Sequence, residues 1–476
     1  MLRVINVFCL FVLIISLSFS QKNEKLDRSK PPKISKPDKI SFPKYREKQL
    51  SNGLQLVVIE NHFQPTVFVS VTVKAGSYFD ADKPGVSSLV SELLTKGTKT
   101  KNALQIAREI DFLGAELNSN SNWDANRLSL KILKKNFEKG LDLFTECLLS
   151  PTFPEEELKR EITQRLAALQ HEKTDPNFLA EKYFSKVIYK NLPYANSTIG
   201  DESSLEKISV NDLKEYYSKF FQPSNAFCVV VGDITLEEIE PILENKFASW
   251  KNISNISKEY IKFEIDNNRK VVIIDKKDAV QSSIRIGCIS IDRTSPDFFI
   301  ASVLNTYLGG YFRSQLNLNL REKNSYTYGA SSGFDARMLN GPFVVRTEVG
   351  SEVTAPAVNE ILKEIDALSK KDIPKDRFEE VKNFIVGSFP IGIQTPSQIA
   401  AAISVIKLYN LPSNYYDNYV ANIHSVTKDD IKKFAKKYLD ISKLSIVISG
   451  DSKLIKDSLS KFGNVQILDA DGNKVN

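Results

Sequence analysis

The sequence predicts an α+β fold of two homologous domains, each of about 210 residues and each a mostly antiparallel sheet packed with helices. Three observations predict it. Strand-like and helical stretches are interleaved without strict alternation. Neighbouring strand-like stretches such as Ala115 to Asn122 and Asn126 to Leu133 are close enough to pair antiparallel. The second part of the chain also repeats the first. At an offset of 218, Asp212-Leu213-Lys214, Tyr216, Lys219-Phe220-Phe221 and Ser224 fall on Asp430-Ile431-Lys432, Phe434, Lys437-Tyr438-Leu439 and Ser442, and Gly232-Asp233 falls on Gly450-Asp451. A weaker echo at offset 220 sets residues 150–154 against the stretch ending in Ile373-Pro374, each opening a long helix.

In chain order, Met1-Leu2-Arg3, the apolar run Val4 to Leu17 and Ser18-Phe19-Ser20 match a signal peptide over residues 1–20, so the protein is expected to be exported, to a periplasm or cell envelope. Residues 21–44 are Lys- and Pro-rich and read as a flexible basic leader; membrane contact is expected, if anywhere, only through the N-terminal segment, by this leader or by an apolar run retained as a signal anchor. Leu54 to Glu60 and Val67 to Ala75 read as strands. Ala103, Ile106, Ala107, Ile110 and Leu113 have helical spacing, and the long stretch Glu155 to Val187 reads as helical, with an acidic-Pro turn at Thr174-Asp175-Pro176. The first domain is placed at 45–252, a linker at 253–262 and the second domain at 263–476.

Of 476 residues 42% are hydrophobic and 26% charged, which excludes disordered and multi-span membrane classes. The net charge is +6, with +7 in the first 48 residues and −1 in the rest. The remainder is close to neutral and offers no basic face for nucleic acid. Past Cys9, the cysteines Cys147, Cys228 and Cys288 sit in apolar stretches and read as buried thiols.

The segment Gly85 to Lys96 has Val86, Leu89, Val90, Leu93 and Leu94 on one helical face and Ser88, Ser91, Glu92 and Thr95 on a polar stripe opposite, read as solvated. Extended to Gly97-Thr98, it resembles the inverted zinc-peptidase segment of the pitrilysin and insulinase family, which includes mitochondrial processing peptidase. The resemblance implies two domains forming half of a clam-like chamber. It also implies an H-x-x-E-H motif whose two His bind zinc while the Glu activates a metal-bound water. Here those positions hold Ser88, Ser91 and Glu92, and the family's third ligand, a Glu farther along, falls on Ala168. Ser and Ala do not supply the donors zinc requires, so the metal position is degenerate and no cofactor is expected in this chain. A site rebuilt from His171 with Glu92 or Glu161 is the alternative that would make the chain an active stand-alone metallopeptidase.

The second half keeps its signature. Leu308-Gly309-Gly310-Tyr311-Phe312-Arg313, then Leu320-Arg321-Glu322 and Tyr326-Thr327-Tyr328-Gly329, resembles the family's C-terminal motif. There an Arg and a Tyr hold substrate and stabilise an oxyanion, which assigns those roles to Arg321 and Tyr328 and a substrate contact to Gly309 and Gly310. Phe112 to Ser119 resembles the family strand that pairs with an extended peptide, which gives Ala115 and Asn118 a substrate role. The resemblance implies a non-catalytic subunit of a metallopeptidase heterodimer. Its partner would carry H-x-x-E-H and the zinc, and its substrates would be unfolded peptides. A peptide-binding or scaffold protein without a peptidase role is the other expectation.

Overall fold

The computed structural model describes Ser29 and residues 41–253, 256, 258–261 and 268–475, and residues from Ser41 onward form one compact unit. The expected signal peptide, Cys9, nearly all of the leader and much of the linker lie outside the described residues.

The first half contains β1 (Arg46–Gln49), β2 (Gln55–Glu60), β3 (Thr66–Val73), α1 (Val86–Leu93), α2 (Ala103–Leu113), β4 (Glu116–Ser121), β5 (Asn126–Leu133), α3 (Phe137–Leu149), α4 (Glu155–Glu172), α5 (Pro176–Tyr189), α6 (Glu202–Leu205), α7 (Val210–Phe220), β6 (Ala226–Gly232) and α8 (Leu236–Lys246). The second contains β7 (Val271–Asp275), β8 (Gln281–Ile289), α9 (Phe298–Leu308), β9 (Ala330–Phe334), β10 (Pro342–Gly350), α10 (Thr354–Lys370), α11 (Lys375–Ser388), α12 (Pro396–Leu408), α13 (Tyr419–Ser425), α14 (Lys428–Tyr438), β11 (Ser445–Gly450), α15 (Ser452–Leu459) and β12 (Val465–Leu468). The strands form two six-stranded sheets, ordered β1-β2-β6-β3-β5-β4 and β12-β7-β11-β8-β10-β9. Both are mixed. The β2–β6 and β7–β11 pairs are parallel, whereas β3–β5, β4–β5, β8–β10 and β9–β10 are antiparallel. The repeat seen at offset 218 is α7–β6 and α14–β11, and the echo at offset 220 opens α4 and α11.

The two halves exchange helices. One face of the first sheet packs on its own helices through Val58, Val69, Val71, Cys228 and Val230. The alternate residues Val57, Ile59, Phe227, Val229 and Val231 pack on Ile399, Ile403 and Ile406 of α12, from the second half. Reciprocally, Leu179, Tyr183, Phe184 and Ile188 of α5 pack on Val272, Ile274, Val344 and Val447 of the second sheet. A central strand covered on both faces needs an unbroken apolar run, which is why Phe227 to Val231 does not alternate with polar residues. Each such side chain contributes about 1.5–3 kcal/mol when fully buried, so the exchanged helices weld the halves together.

Local chemistry sets the boundaries. Asn102 and Gln105 form a reciprocal capping box at the start of α2, and Gly114 ends the helix with φ of 61°. The helical stretch 155–187 is two helices, α4 and α5, divided at the Thr174-Asp175-Pro176 turn. Pro176 has no N–H to continue a helix but suits a first turn, and the Asp175 side chain accepts the Asn177 N–H to cap α5. One correction concerns the leader, because Phe42 is buried and stacks on Tyr416 at 4.9 Å, so packing starts before residue 45. Cys147 and Cys228 are buried free thiols, and Cys288 is a free thiol at a half-buried residue. Burial pushes all three up to about 12, which leaves them protonated and inert.

Candidate functional site

Helix α1 is fixed at its start by a buried acid. Asp80 accepts the Gly85 N–H at 2.8 Å and the Ser87 N–H at 2.9 Å, so a carboxyl group faces the positive end of the helix. Burial pushes Asp80 up to about 8, against the pull of those donors and of the Arg165 cation. Gly85 has φ of 105°, and a Cβ there would stand 3.0 Å from the Ile199 carbonyl, so this entry needs glycine.

The stripe facing away from the core is not a solvated face. Ser91 is only 1% exposed, and its hydroxyl shares a 2.6 Å hydrogen bond with that of Ser119 on β4. Ser88 donates to the Gly85 carbonyl at 3.0 Å and accepts from Arg165 Nη1 at 2.7 Å. The Arg165 side chain, 11% exposed, also pairs with Glu161 at 2.9 Å and donates to the Ile199 carbonyl at 3.3 Å. Glu92 pairs with Lys96 at 3.1 Å, while Ala168 and His171 are exposed on α4. Ser91 is buried and Ser88, Glu92 and Thr95 are half-buried because β4 and α4 both pack over the stripe.

This donor set does not fit zinc. A hydroxyl, a carboxylate paired with lysine and a methyl group replace the three ligands, a hydroxyl replaces the base, and a permanent cation donates to the residue standing for the first His. The rebuilt alternative also fails on the observed pairings, because Glu161 is engaged by Arg165 and Glu92 by Lys96 while His171 is exposed. Among the described residues no group of three His, Cys, Asp or Glu is placed to hold a metal. Arg165 was missed in the sequence reading, although it lies one turn before Ala168 on the same helix and its position was therefore legible.

Strand β4 lies at the end of the first sheet, paired with β5 alone among the described strands. Asn118 is exposed on it and its carbonyl accepts from Ser129, while Ala115 just before it is half-buried. Edge status, which the sequence could not reveal, is what the peptide-pairing expectation requires.

In the second half, Gly309 is needed for packing. A Cβ there would stand 2.4 Å from the Ser332 N, and its carbonyl accepts the Ser332 N–H at 3.2 Å. At Gly310 a Cβ would stand 2.8 Å from the Thr306 Cα. Beyond them a π-helical turn, Asn317–Lys323, carries Arg321, whose guanidinium lies 4.8 Å from the Phe312 ring and 3.4 Å from Glu322. Arg321 and Tyr328 line one pocket of about 440 Å³ with Gln281, Ser325 and Glu348. Tyr328 is 95% exposed and makes no side-chain hydrogen bond among the described residues.

Tyr328 also borders a second pocket that joins the halves, with Asn177, Arg285, Arg346 and Glu348. Asn177, from the start of α5, accepts from Ser283 at 2.6 Å and donates to Glu348. Glu181, one turn along, takes Arg285 at 2.7 Å and Arg346 at 2.7 Å. Burial raises the Glu181 carboxyl, but the two guanidinium groups outweigh it and hold it at about 2. The sequence reading named none of Asn177, Glu181, Arg285 and Arg346, because they meet only through the helix exchange.

Residues 56–202 match the model of the insulinase family, peptidase family M16, and residues 207–385 match the M16 inactive domain. The chain belongs to the M16 peptidase family. It is 25% identical over 399 residues to the Non-peptidase homolog YmxG of Helicobacter pylori, covering 83% of this chain and 91% of that protein. It is 24% identical over 407 residues to the Zinc protease PqqE of the same organism, covering 83% and 90%. A crystal structure of a peptidase M16 inactive domain from Pseudomonas fluorescens superposes with a TM-score of 0.79 at 27% identity, covering 86% of this chain and 98% of that one. With its ligand positions replaced, this M16 chain is an inactive homologue of the peptidases.

Proposed function

We propose that the chain is the exported, non-catalytic subunit of a two-chain M16 metallopeptidase, and that it supplies Arg321 and Tyr328 to an active site whose zinc sits in an H-x-x-E-H partner. The observation that carries this reading is a contrast within one chain. The metal position is closed by Arg165, whereas Tyr328 stands fully exposed beside Arg321 in an open pocket. A surface tyrosine without a partner contributes little to folding, but its hydroxyl is suited to donate to a developing oxyanion next to a fixed cation. Similarity to both a non-peptidase homolog and a zinc protease of one organism supports a division of labour between two chains. The β4 edge would add backbone pairing to an unfolded peptide, a recognition that does not depend on sequence. Export rests on the leader-like residues 1–20.

The test is to co-express the chain with an H-x-x-E-H relative from its own genome and purify the pair. The expected result is a heterodimer with about one zinc that hydrolyses an unstructured peptide, and an isolated chain that does not. Arg321→Ala should lower turnover by about 10²–10³ with the zinc retained, the range for removing an oxyanion donor. Full turnover in that variant sinks the role given to Arg321. An isolated chain that binds the peptide but forms no heterodimer would favour the peptide-binding or scaffold reading instead.

A further inference from the structure

Away from both sites, the second half holds a pocket of about 580 Å³ between α9, α11, α12 and the segment leading into α13. Its size is ordinary for a small-molecule site, roughly 300–1,000 Å³. The walls are mainly aromatic and aliphatic, including Phe298, Phe389, Tyr416, Tyr419, Ala402 and Val405. At its rim Phe384 is exposed, as is Ile391 next to the lining residue Gly392.

One charged side chain lines this apolar pocket. Arg293 is 8% exposed, and its Nη2 donates to the Tyr415 hydroxyl at 3.0 Å. Its Nη1 has less than 1 Å² of accessible surface and no hydrogen-bond partner among the described residues. The guanidinium lies 3.8 Å from the Phe298 ring centre and 4.9 Å from that of Tyr415, and it makes no ion pair among the described residues. Ring faces stabilise a cation but accept no ordinary hydrogen bond from an in-plane N–H, so a buried guanidinium is left with an open donor and an unbalanced charge. A native fold seldom leaves both, because each costs free energy unless something supplies an acceptor and an anion.

We propose that this pocket binds a monocarboxylate with a flexible apolar chain, of the fatty-acid class. The carboxylate would accept from Arg293 after a small rotation of the guanidinium that brings Nη1 to the pocket surface, and the chain would lie along the aromatic wall toward the Phe384 rim. A carboxylate is the smallest group that supplies acceptor and charge together, and its bonds to a guanidinium are of the stronger, charge-assisted kind. The inference is independent of the peptidase-subunit reading, since none of the residues it uses belongs to the Arg321 and Tyr328 pocket.

The experiment is calorimetric titration of the mature chain, below micelle formation, with dodecanoate, dodecanol and dodecyltrimethylammonium. The expected result is that dodecanoate binds at least tenfold more tightly than dodecanol and that the cation does not bind. Arg293→Gln should abolish the preference for dodecanoate while leaving dodecanol affinity unchanged. Ala401→Phe, which fills the pocket without touching the charge, should remove binding of both. Equal affinity for dodecanoate and dodecanol in the native chain overturns the proposal, as does dodecanoate binding that survives Ala401→Phe. If Arg293→Gln fails to fold, the native comparison and the pocket-filling variant still decide.

Discussion

Arg165 donates a 2.7 Å hydrogen bond to the hydroxyl of Ser88, and this contact joins the helices that in an active M16 enzyme would share a metal. The position is filled by a cation with no acceptor capacity, so losing zinc ligands and gaining Arg165 are parts of one rearrangement.

Restoring the ligands alone should therefore not restore the metal. A variant with Ser88→His, Ser91→Glu, Glu92→His and Ala168→Glu is expected to bind zinc at least tenfold more weakly than the same variant with Arg165→Leu added. A fixed cation beside the ligands opposes a divalent one by several kcal/mol at short range even in a partly screened site. Competition against a chromogenic chelator measures both affinities. Equal values would show that Arg165 does not guard the position.

The Glu181 contacts predict a pH dependence of stability. Its carboxyl is held at about 2 against an ordinary value of 4.5, so the folded state binds fewer protons than the unfolded one between these values. The stabilisation is full above pH 4.5 and is lost as pH falls toward 2. Glu181→Gln should lower the melting temperature at pH 7, and the gap between variant and native chain should close as pH falls through this window. A gap that stays constant down to the lower end would mean the carboxylate charge contributes nothing.

Asp124 ties the halves together elsewhere. It is 4% exposed and accepts from Tyr194 at 2.7 Å, Tyr409 at 2.9 Å and the Met338 N–H at 2.9 Å. Asp124→Ala strands these buried donors, at about 1–3 kcal/mol for each that finds no water. Thermal unfolding should show a loss of several degrees, whereas Tyr328→Phe on the open surface should change stability by less than about 0.5 kcal/mol. A comparable loss in Tyr328→Phe would argue that the tyrosine is structural and remove the reason for giving it a catalytic task.

Gly309 offers a test of why the glycine pair is there. Gly309→Ala places a methyl 2.4 Å from the Ser332 backbone, and the loop must shift at a cost of about 1–3 kcal/mol. If packing is its main task, the variant loses stability while the turnover of the heterodimer falls only modestly. A large loss of turnover without loss of stability would move Gly309 to the substrate-contact role.

The sequence by itself determined the two-domain organisation, most of the elements and the loss of the zinc ligands. Helix and strand periodicity are local, a repeat is visible in any pair of aligned segments, and Ser or Ala in a ligand position is a chemical fact whatever the fold. The offset of 218 recovers α7 and α14 residue for residue, and β4–β5 pair as their spacing predicts. Only the tertiary structure decided that α5 and α12 cross to the opposite sheets, that Ser91 is buried, that Arg165 caps Ser88 and that Arg293 faces an apolar pocket. Each of these depends on contacts between segments far apart in the chain. Burial and charge pairing at such contacts are set by which surfaces the helix exchange brings together, and no local pattern encodes that choice.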